Sequence, residues 1–465
     1  MKSKMIRDFR NYFLGDVFVK GFLFVSLPLL SRIMDPQQYG KLSIINTAIM
    51  IMYVFVSLNL QNAVTNRYML KSEGFNNYLK SIFSFLIPFQ VFLICISPII
   101  AKYMAVILGI SESDFLWVML ICVLLSYIYI YTSYLQASRQ SGVYVKINVL
   151  SKISEIVLIF AFAYFMTSEQ YLSKIYAQLI ISTFMIFFLF KKLKSISNGS
   201  FNSSELKDAL YFSVPLIIHV LSNSLLSQAD RIIINNMIGP GEAGIYSFAY
   251  NIAMGMVVLI MAWNSSWQPR LFKHIEMDSR KKIADTTKAS AYLILAIGVV
   301  GIFFSKEVIL LVADKDYYSS IEILPIIIIA NAFTHLYLCY ANFVFYKKRA
   351  FFISFATMLA MAINIGLNIL LIPKYGIIGS AWATAFAYLM LTIFHYLSST
   401  FLTKNNSISF NYIVIYLFVL MAAYCFSGFV DNSFTLWIAI TIKIILATLI
   451  TAFFLKINLH KQLSD

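Results

Sequence analysis

Residues 34–52 read Met-Asp-Pro-Gln-Gln-Tyr-Gly-Lys-Leu-Ser-Ile-Ile-Asn-Thr-Ala-Ile-Met-Ile-Met. Residues 238–256, at a lag of 204, read Ile-Gly-Pro-Gly-Glu-Ala-Gly-Ile-Tyr-Ser-Phe-Ala-Tyr-Asn-Ile-Ala-Met-Gly-Met. Pro36 matches Pro240, Gly40 matches Gly244, Ser43 matches Ser247, and Met50 and Met52 match Met254 and Met256. Each stretch is a turn joining one long apolar run to the next. Six such runs lie between them, so two halves of the same orientation are expected. Parallel repeats related by an axis along the membrane normal are a mark of transporters.

The composition around this repeat is that of a polytopic membrane protein. Of 465 residues, 60% are apolar and 12% charged, against about 45–50% and about 25% in a soluble domain. Mean hydropathy is +0.78. Apolar runs cover about residues 9–34, 42–65, 81–101, 114–136, 145–166, 171–190 and 209–235, then 244–267, 289–305, 321–346, 350–372, 377–402, 411–430 and 434–455. Lipid offers the backbone no hydrogen-bond partners, so each run is expected to be a helix. Barrel strands would be near 10 residues long with alternating polarity. The fold class is therefore all-α, with about fourteen spans. The repeat divides the chain into an N-lobe over 1–195 (spans 1–6), a C-lobe over 196–405 (spans 7–12) and two added spans over 406–465.

Charge orients the bundle. With the N-terminus inside, the inside segments hold 25 of the 36 Lys and Arg residues, the outside loops hold seven (Arg32, Lys41, Lys102, Lys174, Lys306, Lys315 and Lys374), and four lie within spans. That bias predicts a bacterial-type plasma-membrane protein with both termini cytoplasmic, and it explains the net charge of +15 without nucleic acid. The longest loops, 191–208 and 268–288, are short, so no soluble domain is expected. Neither a phosphate-binding Gly-x-x-x-x-Gly-Lys-Ser/Thr loop nor a His-Glu-x-x-His or Cys-x-x-Cys pair occurs, and these are the usual marks of nucleotide and metal chemistry. The expectation is a non-enzyme with no cofactor and no metal. The cysteines, at 95, 122, 339 and 425, all sit inside apolar runs and read as packing residues.

Ionisable side chains at membrane depth are costly and tend to face each other or a wet interior. Span 1 carries Asp16 and Lys20 at i,i+4, span 5 carries Lys152 and Glu155 at i,i+3, and span 7 carries Asp230 beside Arg231. Lys152 and Glu155 can close on each other. Lys443 is expected to snorkel or to serve the added helix pair. Amide stripes extend the pattern: Asn59, Asn62 and Asn66 in span 2, His219, Asn223 and Ser227 in span 7, Asn251 and Asn264 in span 8, Asn331, His335 and Asn342 in span 10, and Asn364 and Asn368 in span 11. Spans 1, 2, 7 and 8 hold equivalent places in the two halves and are the richest. That favours a hydrated cavity shared by two bundles.

Several of these stretches resemble a known family. Leu30 to Gly40 (Leu-Ser-Arg-Ile-Met-Asp-Pro-Gln-Gln-Tyr-Gly) resembles its entry motif, and Asn62 to Tyr68 its next element. Pro215, Asp230-Arg231, Gly244-Ile245-Tyr246 and Trp267-Gln268-Pro269 resemble its central block, and Pro373 to Ala381 its late loop. The family is that of the polysaccharide biosynthesis proteins, the O-antigen and capsule repeat-unit flippases of the multidrug/oligosaccharidyl-lipid/polysaccharide exporter superfamily. The resemblance implies a two-lobed alternating-access carrier for an oligosaccharide on undecaprenyl diphosphate. It implies membrane lipids as surroundings, and a polysaccharide polymerase and chain-length regulator as further partners. Many members have twelve spans, so spans 13 and 14 are a departure. Lys20 falls where related lipid flippases keep a basic residue, which makes it the first candidate for the phosphates, followed by Arg67, Arg231 and Arg32. Amides such as Asn59, Asn62, Asn223 and Asn251 are candidates for sugar hydroxyls, and Asp16, Glu155 and Asp230 for carrying a proton or Na⁺. A cation-coupled drug exporter of the same superfamily and a lipid II flippase are the competing readings.

Overall fold

The computed structural model describes residues 15, 18, 19, 21, 22, 24–403 and 408–462. After α1 (Phe24–Ile33) come α2 (Pro36–Ser57), α3 (Leu60–Leu70), α4 (Phe75–Leu108), α5 (Glu112–Ala137), α6 (Ser141–Phe165) and α7 (Leu172–Ile196). Then follow α8 (Ser203–Met237), α9 (Pro240–Glu276), α10 (Arg280–Phe303), the short α11 (Ser305–Val312), α12 (Ser320–Tyr346), α13 (Ala350–Thr403), α14 (Asn411–Ser433) and α15 (Leu436–Gln462). The described residues contain no strand.

The repeated turns are helix starts. Asp35 caps α2, its carboxylate accepting the Gln38 N–H at 2.8 Å, and Pro36 fills the first helical position, where a missing N–H costs nothing. Pro240 does the same for α9. The two starts also touch. A Cβ on Gly40 would lie 1.8 Å from the Pro240 carbonyl oxygen, and one on Gly244 would lie 1.9 Å from the Pro36 carbonyl oxygen. The repeat-related Pro and Gly thus pack reciprocally, backbone on backbone.

Among the described residues twelve helices are long and apolar enough to cross a membrane. One of them, α13, makes two passes. In a straight helix residues 20 apart would be about 30 Å apart, yet Asn364 Nδ2 donates to Thr384 Oγ1 at 3.2 Å and Ser380 Oγ donates to Asn368 Oδ1 at 2.6 Å. The chain therefore reverses between them, at the Pro373–Gly376 turn, where Gly376 takes φ +58°. This matches the separate spans 350–372 and 377–402. Span 1 is described chiefly as α1, so fourteen passes are not reached among the described residues.

Packing divides the chain into two units, Met1–Gly244 and Ile245–Asp465. In the first, α8 packs on α2, α3 and α4; in the second, α14 and α15 pack on α10. Within the first unit the loops sort to two ends. Asn77 meets Ser200, Asn202 meets Ser81 and Arg67 meets Glu205 at one end. Asn235 meets Gly109, and Tyr171 meets both Gln38 and Asp114, at the other. The same two sets were separated by charge in the sequence.

Candidate functional site

The expected single helix over 42–65 is broken. Leu58 (φ 48°) and Asn59 (φ 57°) are consecutive left-handed residues that end α2 and start α3. This conformation costs an L-residue about 1–2 kcal/mol, and only Asn among the two relieves it through its short polar side chain. Ser57 Oγ accepts the Asn59 N–H at 3.1 Å, and Asn59 Oδ1 accepts from Gln61 Nε2 at 2.9 Å and Asn62 Nδ2 at 2.8 Å. From α4, Gln90 Nε2 donates to the Val56 carbonyl at 3.1 Å. The other halves of these amides, Asn59 Nδ2, Gln61 Oε1 and Gln90 Oε1, are buried without a hydrogen-bond partner in the structure. Left unmet, each costs about 1–3 kcal/mol. One donor group and two acceptors suit a ligand whose groups both give and take hydrogen bonds, as hydroxyls do.

The candidate cations do not form one cluster. Arg67 chelates Glu205 at the α3–α8 end (Nε–Oε2 3.2 Å, Nη2–Oε1 3.0 Å), donates to the Glu73 carbonyl at 3.2 Å and to that of Lys71, and lies over the Tyr78 ring. Arg231 is buried near the far end of α8 and donates to the Ser227 carbonyl at 3.0 Å and to Gln228 Oε1. Gln228 also accepts from Thr47 of α2 at 3.4 Å. Glu205 and Arg231 are 26 residues apart on one helix, roughly 39 Å, so Arg67 and Arg231 serve opposite ends. Arg32 is exposed. Asp230 is fully buried and accepts the Arg231 N–H at 3.2 Å. Asn62 and Asn223 are exposed, and Asn251, in the second unit, is half-buried. Lys20 and Asp16 lie outside the described residues.

Lys174, read from the sequence as an outside-loop cation, is instead buried within the bundle. It bonds Glu155 Oε1 and donates to Gln178 Oε1 at 2.9 Å, while Lys152 holds Glu155 Oε2 at 2.8 Å. A pair expected to close on itself is a triad. The α6–α7 turn brings Lys174 back onto Glu155, 19 residues away, and spacing alone gives no sign of that.

The second unit bonds many of its polar groups internally, although Trp267 Nε1, His274 Nδ1, Thr287 Oγ1 and Asn342 Oδ1 are buried without a hydrogen-bond partner. His335 bonds Ser290 at 3.1 Å and the Tyr416 hydroxyl at 3.2 Å, Asn331 donates to the Ala253 carbonyl at 3.0 Å, and Asn342 donates to Asn264 at 2.8 Å. Tyr246, Thr384, Asn364, Asn368 and Ser380 form a buried chain of hydrogen bonds. These amides are interhelical ties. Lys443 is fully buried and bonds both Glu307 (2.8 and 3.1 Å) and Asp431 (2.8 and 2.9 Å), fastening α15 to α11 and α14. Cys122 and Cys339 are buried as expected, whereas Cys95 and Cys425 are on the outer helix surface. Among the described residues no three His, Cys, Asp or Glu side chains are grouped to hold a metal.

Comparison with known proteins places this architecture. The chain is 22% identical over 419 residues to the "Probable low-salt glycan biosynthesis flippase Agl15" of Haloferax volcanii, covering 88% of this chain and 85% of that one. It is 23% identical over 372 residues to an uncharacterized membrane protein of Haemophilus influenzae, covering 78% and 89%. Its fold is similar to that of the lipid II flippase MurJ in an inward closed conformation (TM-score 0.71, 17% identity, 97% of this chain and 99% of that one). It is also similar to an inward-facing MATE multidrug-resistance transporter (TM-score 0.61, 12% identity, 84% and 96%). The family model described as "Polysaccharide biosynthesis protein" matches residues 6–275. With more than half of its length matched, and with the fold of the multidrug/oligosaccharidyl-lipid/polysaccharide exporters, the chain belongs to the polysaccharide biosynthesis protein family.

Proposed function

We propose that this protein is a flippase, not an enzyme, that moves undecaprenyl-diphosphate-linked oligosaccharide repeat units from the cytoplasmic to the outer leaflet of the plasma membrane. Its product would feed O-antigen or another surface polysaccharide, with a polymerase and a chain-length regulator acting downstream. A sugar–diphosphate head cannot enter hydrocarbon, because stripping its hydroxyls and charges of water is prohibitive. A carrier must therefore offer hydrogen-bond partners at depth while the polyprenyl tail stays in lipid. The observation that carries the reading is the break at Leu58–Asn59, where Asn59, Gln61 and Gln90 keep unmet amide groups inside a membrane-spanning bundle. In this reading the hydroxyls of a sugar take those groups, Asn62 and Asn223 line the approach, and Lys20, Arg231 and Arg32 supply charge along the route. Arg67 is held by Glu205 and serves the cytoplasmic end. Alternation between inward- and outward-facing states moves the head, with both termini cytoplasmic.

Deletion of the gene tests this. The proposal expects loss of surface polysaccharide, ordinary growth and unchanged drug susceptibility. Arrested growth would instead mark a lipid II flippase, and drug hypersensitivity with intact polysaccharide a drug exporter.

A further inference from the structure

Two ammonium groups share one carboxylate in the first unit. Lys152 Nζ lies 2.8 Å from Glu155 Oε2, and Lys174 Nζ contacts Glu155 Oε1. Among the described residues no second carboxylate bonds either lysine. Among the described residues the cluster therefore carries one surplus positive charge. Lys174, buried and also bonded to Gln178, is enough to neutralise Glu155; Lys152 is the surplus.

Its position excludes a lipid-facing role. At 100° per residue, Ser141, Ile159 and Ala163 project within about 20° of Lys152, and all three are buried. The exposed stripe of α6, Val143, Leu150, Val157 and Tyr164, lies about 120–180° away. Yet 40% of the Lys152 side chain is accessible. Its opening is on the protein-facing side of the helix. Lys152 is also eleven residues from the start of α6 and thirteen from its end, or about 16 and 20 Å, so it cannot reach either membrane surface. An uncompensated cation at that depth costs about 3 kcal/mol or more unless an anion or water meets it.

We propose that Lys152 is a phosphate-binding residue, held at mid-membrane by Glu155 and Lys174, and that the anion it takes is the diphosphate of the transported lipid head. The identity of that anion rests on the flippase reading; the site does not. It also assigns Glu155 a structural part as the tether of two lysines, in place of ion coupling.

The test uses the full chain in phosphatidylcholine nanodiscs, with inorganic pyrophosphate and undecaprenyl diphosphate as probes. Wild type should bind both, K152Q should bind at least tenfold more weakly, and K152R should restore binding. K152Q leaves Glu155 and Lys174 as a neutral pair, so its thermal stability should match wild type. A second reading needs no variant: a small amine-reactive reagent should label Lys152, and pyrophosphate should protect it. Equal binding by wild type and K152Q, or labelling that pyrophosphate leaves unchanged, overturns the site. Protection by phosphatidylglycerol as strong as by undecaprenyl diphosphate would assign the site to bulk lipid headgroups and overturn the diphosphate assignment. A chain that flips no lipid-linked glycan yet keeps pyrophosphate-protected Lys152 removes the function and leaves the site standing. Transport with Lys152 unprotected removes the site alone.

Discussion

Replacing Lys443 with Met should unfasten the C-terminal helix pair. Lys443, Lys306, Glu307 and Asp431 form a neutral group of four, in which the Lys443 ammonium shares its three N–H donors among four carboxylate oxygens and Lys306 stands 3.8 Å from Asp431. K443M removes those contacts and leaves two carboxylates with one distant ammonium. Removing one partner of a buried ion pair costs about 3–5 kcal/mol. The carboxylates are each 16% accessible, so water recovers part of that, and the lower end, about 3 kcal/mol, is expected. Every 1.4 kcal/mol is tenfold, which makes this a shift of roughly 150-fold in the unfolding equilibrium. The assay is SDS unfolding of purified protein in mixed micelles, with limited proteolysis after Phe434 to follow release of α15. The triple variant E307Q/D431N/K443M removes the stranded charges and should recover to within about 1 kcal/mol of wild type. A K443M midpoint equal to wild type, or a triple variant no better than K443M, would refute the reasoning.

Two further predictions rest on backbone geometry. G40A and G244A should each lower thermal stability markedly, because the new Cβ meets a carbonyl oxygen at 1.8–1.9 Å and no rotamer relieves a backbone clash; G142A, whose Cβ meets nothing within 4 Å, should leave melting unchanged or slightly raised. N59G keeps the left-handed conformation at little cost while deleting the amide, so it should reach the membrane at wild-type levels and lower surface polysaccharide; equal polysaccharide would remove the Asn59 side chain from the site.

The sequence's marks of the fold are those that short-range physics writes locally. Asp35-Pro36 is a cap followed by a first-turn proline, Pro373 and Gly376 stop and reverse a helix, and the lysines and arginines sort the loops into two sets. Each can be read within a few residues. The break at Leu58–Asn59 has no such mark: neither residue is Gly or Pro, and only the tolerance of Asn for positive φ hints at it. The sequence pointed to Asn59 as an amide in a stripe but not to the strained turn that leaves its Nδ2 unmet. Ion pairs depend on which helices pack. Lys174 meets Glu155 across a turn and Lys443 meets Glu307 across 136 residues, so the charges were visible and their partners were not. The asparagines of spans 10 and 11 also find partners that the sequence does not name. They read in the sequence only as further amide stripes and are bonded across helices, because a buried amide takes a protein partner wherever packing offers one.

The most direct measurement is leaflet transfer by the purified protein. Proteoliposomes carrying a fluorescent undecaprenyl-diphosphate oligosaccharide are exposed to a membrane-impermeant glycosidase that trims the outer-leaflet pool. Protein-free vesicles should protect about half of the lipid. The flippase account predicts that vesicles holding this chain allow nearly complete trimming, and that vesicles holding N59G protein trim more slowly. Protection that stays at half in vesicles with folded wild-type protein would contradict it.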